Sequence, residues 1–189
     1  MKKEIKANTN IFERLKIIDV ADMLTLSPIN PGRLETEANF YLINSSNLAL
    51  KNILPGAYVK DIKEAKKNVM EFIDRMIAYD SILYCIRLKE SNVPIGYILL
   101  NSPLSQNGLN EWSIDFWLNE NYRGKKIMAS SLMQLLGHMQ QMEIKIAYAM
   151  VDKDNFKSKS LIEKFGFSFI NENENSGRHL MLYGLRLND

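Results

Sequence analysis

Cysteine is nearly absent from this chain: Cys85 is the one thiol in 189 residues. A single cysteine excludes an internal disulfide framework and a thiolate zinc cage. Cys85 lies in the apolar run Ile82-Leu83-Tyr84-Cys85-Ile86, which reads as a reduced core position. A catalytic thiolate wants a basic, partly exposed setting and a nearby histidine. His138 and His179 are both distant in sequence. Long apolar runs are missing too. No stretch approaches the roughly 20 residues of a membrane-spanning helix, so no membrane partner is expected. The start, Met1-Lys2-Lys3-Glu4-Ile5, lacks the apolar core of a signal peptide, and cytoplasm is the expected setting. Charge of one sign is also scarce. Lys and Arg number 24 against 22 Asp and Glu, a net +2, which argues against nucleic acid as a partner. No Pro/Gly/Ser-rich linker, repeat or low-complexity segment divides the chain. Residues 1–21 read as an N-terminal extension and 22–189 as a single domain.

The periodicities come next. The extension reads as a polar arm followed by a short amphipathic piece, Ile11 to Ile18. Met23 to Leu26 reads as a strand and Arg33 to Leu42 as a helix, followed by a loop with room for a short helix between Asn44 and Val59. Lys60 to Tyr79 is a helix. Its apolar stripe is Ile62, Ala65, Val69, Phe72, Ile73 and Met76, at spacings of three and four. Lys63, Glu64, Lys66 and Lys67 fill its solvated face. Ser81–Leu88, Val93–Leu100 and Glu111–Leu118 read as three strands with short connections, hence an antiparallel meander. A helix to about Met142 carries Met128, Leu132, Leu135, Leu136, Met139 and Met142 on one stripe. Strand Ile144–Val151, helix Asn155–Phe165 and two last strands around the polar turn Glu172–Gly177 complete an α/β domain with a mixed sheet.

Between the third meander strand and the following helix stands Arg123-Gly124-Lys125-Lys126. A strand, a tight basic turn and a helix N-terminus together form a device for holding phosphate. The first helical N–H groups lack intrahelical partners, and the helix dipole places partial positive charge there. The turn lacks both G-x-x-x-x-G-K-[ST] and G-x-G-x-x-G, so a nucleoside-triphosphate loop and a dinucleotide loop are not supported.

Arg123-Gly124-Lys125-Lys126-Ile127-Met128 resembles Gln/Arg-x-x-Gly-x-Gly/Ala, the acyl-CoA pyrophosphate loop of the GNAT acetyltransferase superfamily. Downstream, Asn155 to Phe167 resembles that family's second signature, N-x-x-S-x-x-x-x-E-K-x-G-F. The spelling around Leu118 to Lys125 looks most like the Rim-type branch, whose best-known members acetylate ribosomal-protein N-termini. The resemblance implies a GNAT-like mixed, largely antiparallel central sheet flanked by helices. It implies acetyl-CoA as acyl donor, no metal, and direct attack by an amine acceptor, in a monomer or a homodimer. One departure stands out: the family usually has Gly where this chain has Lys126, and Gly lets backbone approach a phosphate without a Cβ in the way.

The same resemblance implies a site. Arg123, Gly124, Lys125, Lys126, Ile127 and Met128 would hold the cofactor phosphates. Backbone near Trp117 and Leu118, where the family's fourth strand bulges, would face the thioester oxygen. Ser158 occupies the signature Ser and is the acid candidate, or an ordinary small residue of a first helical turn. Asn155 caps that helix and would also touch the pantetheine arm. Asp115, a carboxylate inside an apolar strand, is the base candidate, with Glu111 as its alternative. Glu35 and Glu37 are acids able to attract a cationic amine, or an ordinary pair of exposed helix acids. A second reading takes the chain as a degenerate GNAT-fold binding or regulatory module, weakened at Lys126. A third, RNA backbone held by the basic turn, is disfavoured by the near-neutral charge and the lack of a stacking-aromatic pattern.

Overall fold

The computed structural model describes residues 16–102, 110–175 and 178–187. Residues 1–15 of the polar arm and Ser176-Gly177 of the last turn lie outside the described residues. The strands are β1 (Ile18–Ala21), β2 (Leu24–Pro28), β3 (Ser81–Leu88), β4 (Pro94–Asn101), β5 (Glu111–Leu118), β6 (Ile146–Asp152), β7 (Ser168–Asn175) and β8 (Arg178–Arg186). The helices are α1 (Leu34–Ser45), α2 (Leu48–Ile53), α3 (Ile62–Ile77), α4 (Ile127–Gln141) and α5 (Phe156–Lys164). All eight strands form one sheet in the order β1-β2-β3-β4-β5-β6-β8-β7. Neighbours run antiparallel except β5 and β6, which run parallel. The expected mixed, largely antiparallel sheet flanked by helices is the one observed.

Helices cover the middle of the sheet on both faces, so β3 and β4 are buried throughout except at their last residues. Strand alternation assigns each side chain to a face. Tyr84, Ile86, Ile98, Leu100, Trp112 and Ile114 join the core under α4 and α5. Leu83, Cys85, Tyr97, Leu99 and Trp117 join the opposite core under α1, α2 and α3. Cys85 is fully buried there, and burial pushes its thiol up to about 12. It stays protonated and apolar, as a core cysteine should. The stripes read for α3 and α4 are the faces that reach these cores. Met128, Leu132, Leu135, Leu136, Met139 and Met142 are all buried.

Three local features differ from expectation. Ile18–Ala21, at the end of the stretch read as an arm, pairs antiparallel with β2. Four residues are too few to declare a period, but Ile18 and Val20 point inward and Asp19 outward. The basic turn does not follow β5 directly. A 3-10 turn, Glu120–Tyr122, intervenes, capped by the Asn119 side chain, which accepts from Asn121 N at 3.1 Å. Finally, the β4–β5 register runs unbroken from Ser113 to Leu118, so the bulge expected near Trp117–Leu118 is not in this pairing. Gly96 opposite explains how the strands stay close there. A Cβ on it would lie 2.8 Å from the Trp117 carbonyl oxygen.

Candidate active site

The parallel pair is the place where the sheet opens. β5 and β6 pair only at Glu111↔Ile146, Trp112↔Ala147 and Ser113↔Tyr148. Beyond that point each strand keeps its outer partner, β4 or β8, but not the other. The resulting cleft is lined by Ile114, Asp115 and Phe116 from β5 and by Ala149 to Asp152 from β6. Asn155 and Ser158 border it from the start of α5, and Ile53 and Leu54 from the end of α2. Unpaired strand edges present backbone N–H and C=O groups, which is what a polar chain-like ligand needs.

Topology places helix N-termini at this opening. Parallel strands end on the same side, and each of these runs into a helix, β5 into α4 and β6 into α5. The unpartnered N–H groups and positive dipole ends of both helices therefore lie at the end of the sheet where the strands part. The α5 terminus is capped as its sequence suggested, with Asn155 Oδ1 accepting from Ser158 N at 3.2 Å. The α4 terminus is not. Lys126 takes the N-cap position with no side-chain capping bond, and Ile127-Met128-Ala129-Ser130 carries no acid. The first helical bond there is Ser130 N to Lys126 O at 3.0 Å, so the N–H groups before it have no intrahelical partner.

The turn before α4 is built to be left open. Gly124 has φ +77° and Lys126 has φ +60°, so two left-handed residues reverse the chain within three positions. At Lys126 that conformation is one the signature's Gly would adopt freely, so the backbone accounts for the family's Gly and not for the lysine. Arg123 is tied back onto the strand end, its Nε donating to Leu118 O at 3.1 Å. Lys125 Nζ stands 5.4 Å from the centre of the Tyr122 ring. Gly124, Lys125 and Lys126 are exposed, while Met128 is buried and anchors the helix.

Asp115 lies on the cleft's β5 wall, half-buried. Burial pushes its carboxyl above the ordinary aspartate range, and Asn101 and Arg75 pull it back. Asp115 from β5 and Ser158 from α5 thus line one cleft. Trp117 is not brought into it by its side chain. Its indole is buried against Tyr41 and Tyr97, and Nε1 donates to Ser45 Oγ at 3.0 Å. Leu118 is buried as well. The acids on α1 also need correction. Glu37 is not exposed: it is buried and pairs with Arg87 Nη2 at 2.6 Å. Glu35 pairs with Lys66 at the surface.

Sequence reasoning did not single out Asn101, Asp152, Ile53 or Leu54. Each sits at or just past the end of an element; strand register brings Asn101 near Asp115 and Asp152 to the cleft, and the end of α2 brings Ile53 and Leu54. A wider depression on the outer face of α3, lined by Lys63, Lys66, Lys67, Met70, Glu71 and Asp74, is the solvated helix face expected from its charges. Among the described residues, no group of three or more His, Cys, Asp or Glu is placed to hold a metal ion. No helix among them is long and apolar enough to cross a membrane.

Comparison with known proteins gives the class. The family model described as the acetyltransferase (GNAT) domain matches residues 24–168. The chain belongs to the GNAT acetyltransferase family and is an enzyme, an acyltransferase. No curated protein matches its sequence. Among solved structures, it is similar to RimL, a ribosomal L7/L12 alpha-N-protein acetyltransferase, in complex with coenzyme A. That likeness has a TM-score of 0.76 at 21% identity and covers 90% of this chain and 98% of that one. The Salmonella typhimurium acetyltransferase that modifies the N-terminal serine of 50S subunit protein L7/L12 gives 0.74 at 20% identity, over 90% and 99% of the two chains. The ribosomal-protein-S5-alanine acetyltransferase from Vibrio fischeri gives 0.74 at 14% identity, over 90% and 96%.

Proposed function

We propose that this enzyme transfers the acetyl group of acetyl-CoA to a primary amine, a protein N-terminus or a small-molecule amine. The observation that carries the reading is the uncapped, acid-free N-terminus of α4 at the end of the sheet where β5 parts from β6. N–H groups of the α4 first turn, with Arg123, Lys125 and Lys126, hold the pyrophosphate. Unpaired backbone of β5 orients the pantetheine arm. Bound acetyl-CoA supplies a thioester, whose carbonyl carbon the amine attacks. Asp115 takes the proton that the acceptor ammonium must lose, because only the neutral amine has a lone pair to give. The Ser158 hydroxyl gives a proton to the departing sulfur and is reprotonated by the second proton that the acylated nitrogen sheds. An aspartate raised by burial suits a base better than an ordinary one, since its proton affinity is closer to that of the amine.

The test is an assay of thiol release and acetylated product, run with acetyl-CoA and a panel of N-terminal peptides and small amines. Thermal stability is followed alongside it. A ligand at 100 times its Kd adds about 2.7 kcal/mol. Thiol release and a rise in Tm are expected. The absence of both at millimolar acetyl-CoA would refute the reading.

Lys126 supports a second reading, a GNAT fold kept as a weak CoA-binding module. A non-glycine residue in the left-handed region costs about 1 kcal/mol. Lys126→Gly is therefore expected to raise the stability of the free protein by up to that amount. In the enzymatic reading the same change weakens CoA binding several-fold and flattens its salt dependence, because an ammonium is lost from the phosphate site. A tenfold or greater gain in affinity would favour the second reading.

A further inference from the structure

The Asp115 carboxyl does not stand alone in the cleft wall. Asn101, the last residue of β4, donates from Nδ2 to Asp115 Oδ2 at 3.4 Å and to Ser113 Oγ at 3.3 Å. Its own Oδ1 accepts from Arg75 Nη2 at 3.0 Å. Arg75, near the end of α3, is held in turn by Asp80, whose Oδ2 accepts from Nε at 2.7 Å. The side chains of Asp80, Arg75, Asn101 and Asp115 thus form one chain of contacts from the α3–β3 turn to the cleft.

The chemistry of the chain gives it a direction. A carboxamide has an oxygen that only accepts and a nitrogen that only donates. A guanidinium only donates and keeps its charge at any working pH. Arg75 therefore fixes which way the Asn101 amide points, with oxygen toward the guanidinium and N–H toward Asp115. A flipped amide would set N–H against N–H and oxygen against carboxylate. Because arginine does not release its proton, the chain is no proton wire; it can only aim and stabilise.

We infer that Arg75 and Asn101 are positioning residues that lock a hydrogen-bond donor onto Asp115 and hold it as a carboxylate facing the acceptor. The inference rests on the reading of Asp115 as the base. Other groups facing the cleft do not do this work. Asp152 lines it from β6, but its carboxylate is paired with Arg178 at 3.1 Å. Ser158 lines it from α5, and the α2 residues there, Ile53 and Leu54, are uncharged.

Arg75→Met and Asn101→Ala test it, with the Asp115 carboxyl followed by carbon NMR and kcat/KM followed against pH. Both variants should move the carboxyl titration to higher pH and carry the acid limb of the rate profile with it. Arg75→Lys, which keeps the charge but loses the fork, should show only part of the shift. An Asp115 carboxyl that titrates as in the wild type in both folded variants overturns the inference and leaves the base assignment standing. A carboxyl that moves beneath an unmoved rate profile overturns the base assignment, and the inference with it.

Discussion

Asp115→Asn is expected to lower kcat/KM by about 10²- to 10⁴-fold, the usual contribution of a positioned base, and to remove the acid limb of the pH profile. The same substitution should make the protein more stable at neutral pH. Burial raises the folded carboxyl above its unfolded value of about 3.9, so the folded state binds the extra proton. The stability from that proton is fully present below the unfolded value and is lost as pH rises through the folded one. Above that window the buried carboxylate is a liability that Asn does not carry. Catalysis runs the other way, since only the carboxylate accepts a proton. Activity should therefore rise with pH across the same interval in which stability falls. A higher Tm is expected at pH 7, and no gain near pH 3. An Asn variant with near wild-type rate and an intact acid limb would remove Asp115 from the mechanism.

Glu37→Ala is expected to cost about 3–5 kcal/mol, the usual result of removing one partner from a buried ion pair. Glu37 and Arg87 are 3% and 6% exposed at their side chains. Arg87 keeps Ser27 Oγ at 2.8 Å and Asn92 O at 3.2 Å, but neither carries a charge. Its guanidinium stays protonated and would sit unpaired beneath α1. Against a total stability of about 5–15 kcal/mol, that loss should be plain in a urea titration, as a lower midpoint with little change in slope. Replacing both partners, with Glu37→Leu and Arg87→Met, should recover most of it, because no buried charge remains. A Glu37→Ala variant within 1 kcal/mol of wild type would mean that water reaches the pair.

This pair also shows where sequence reasoning stops. Glu37 and Glu35 look alike on the page, two acids in the first turns of a helix. One is buried and one is not, because α1 turns Glu37 toward Arg87 on β3, 50 residues away. The stripes on α3 and α4 were legible because 3.6-residue periodicity is a local property. The meander was legible because short connections permit little else. The basic turn and the Asn155–Phe167 run were legible as signatures of the family, since residue types at fixed spacing carry them. Lys126 was visible as a departure, although its left-handed backbone was not. The cleft was the least legible part. It exists because β5 and β6 separate after Ser113 and Tyr148, and no local pattern in either strand announces that. Asn101 reaches Asp115 through the β4–β5 register alone.

Strand separation, helix N-termini and a half-buried carboxylate on β5 motivate one claim, that an acyl-CoA lies along the opening between β5 and β6. Amide NMR during titration with acetyl-CoA tests this most directly. Saturable shifts are predicted at Lys125 to Ala129 in the α4 first turn, and at Ile114 to Phe116 and Ala149 to Val151 along the parted strands. No saturable shift at millimolar acetyl-CoA, or shifts confined to Lys63, Lys66 and Lys67 on the outer face of α3, would contradict it.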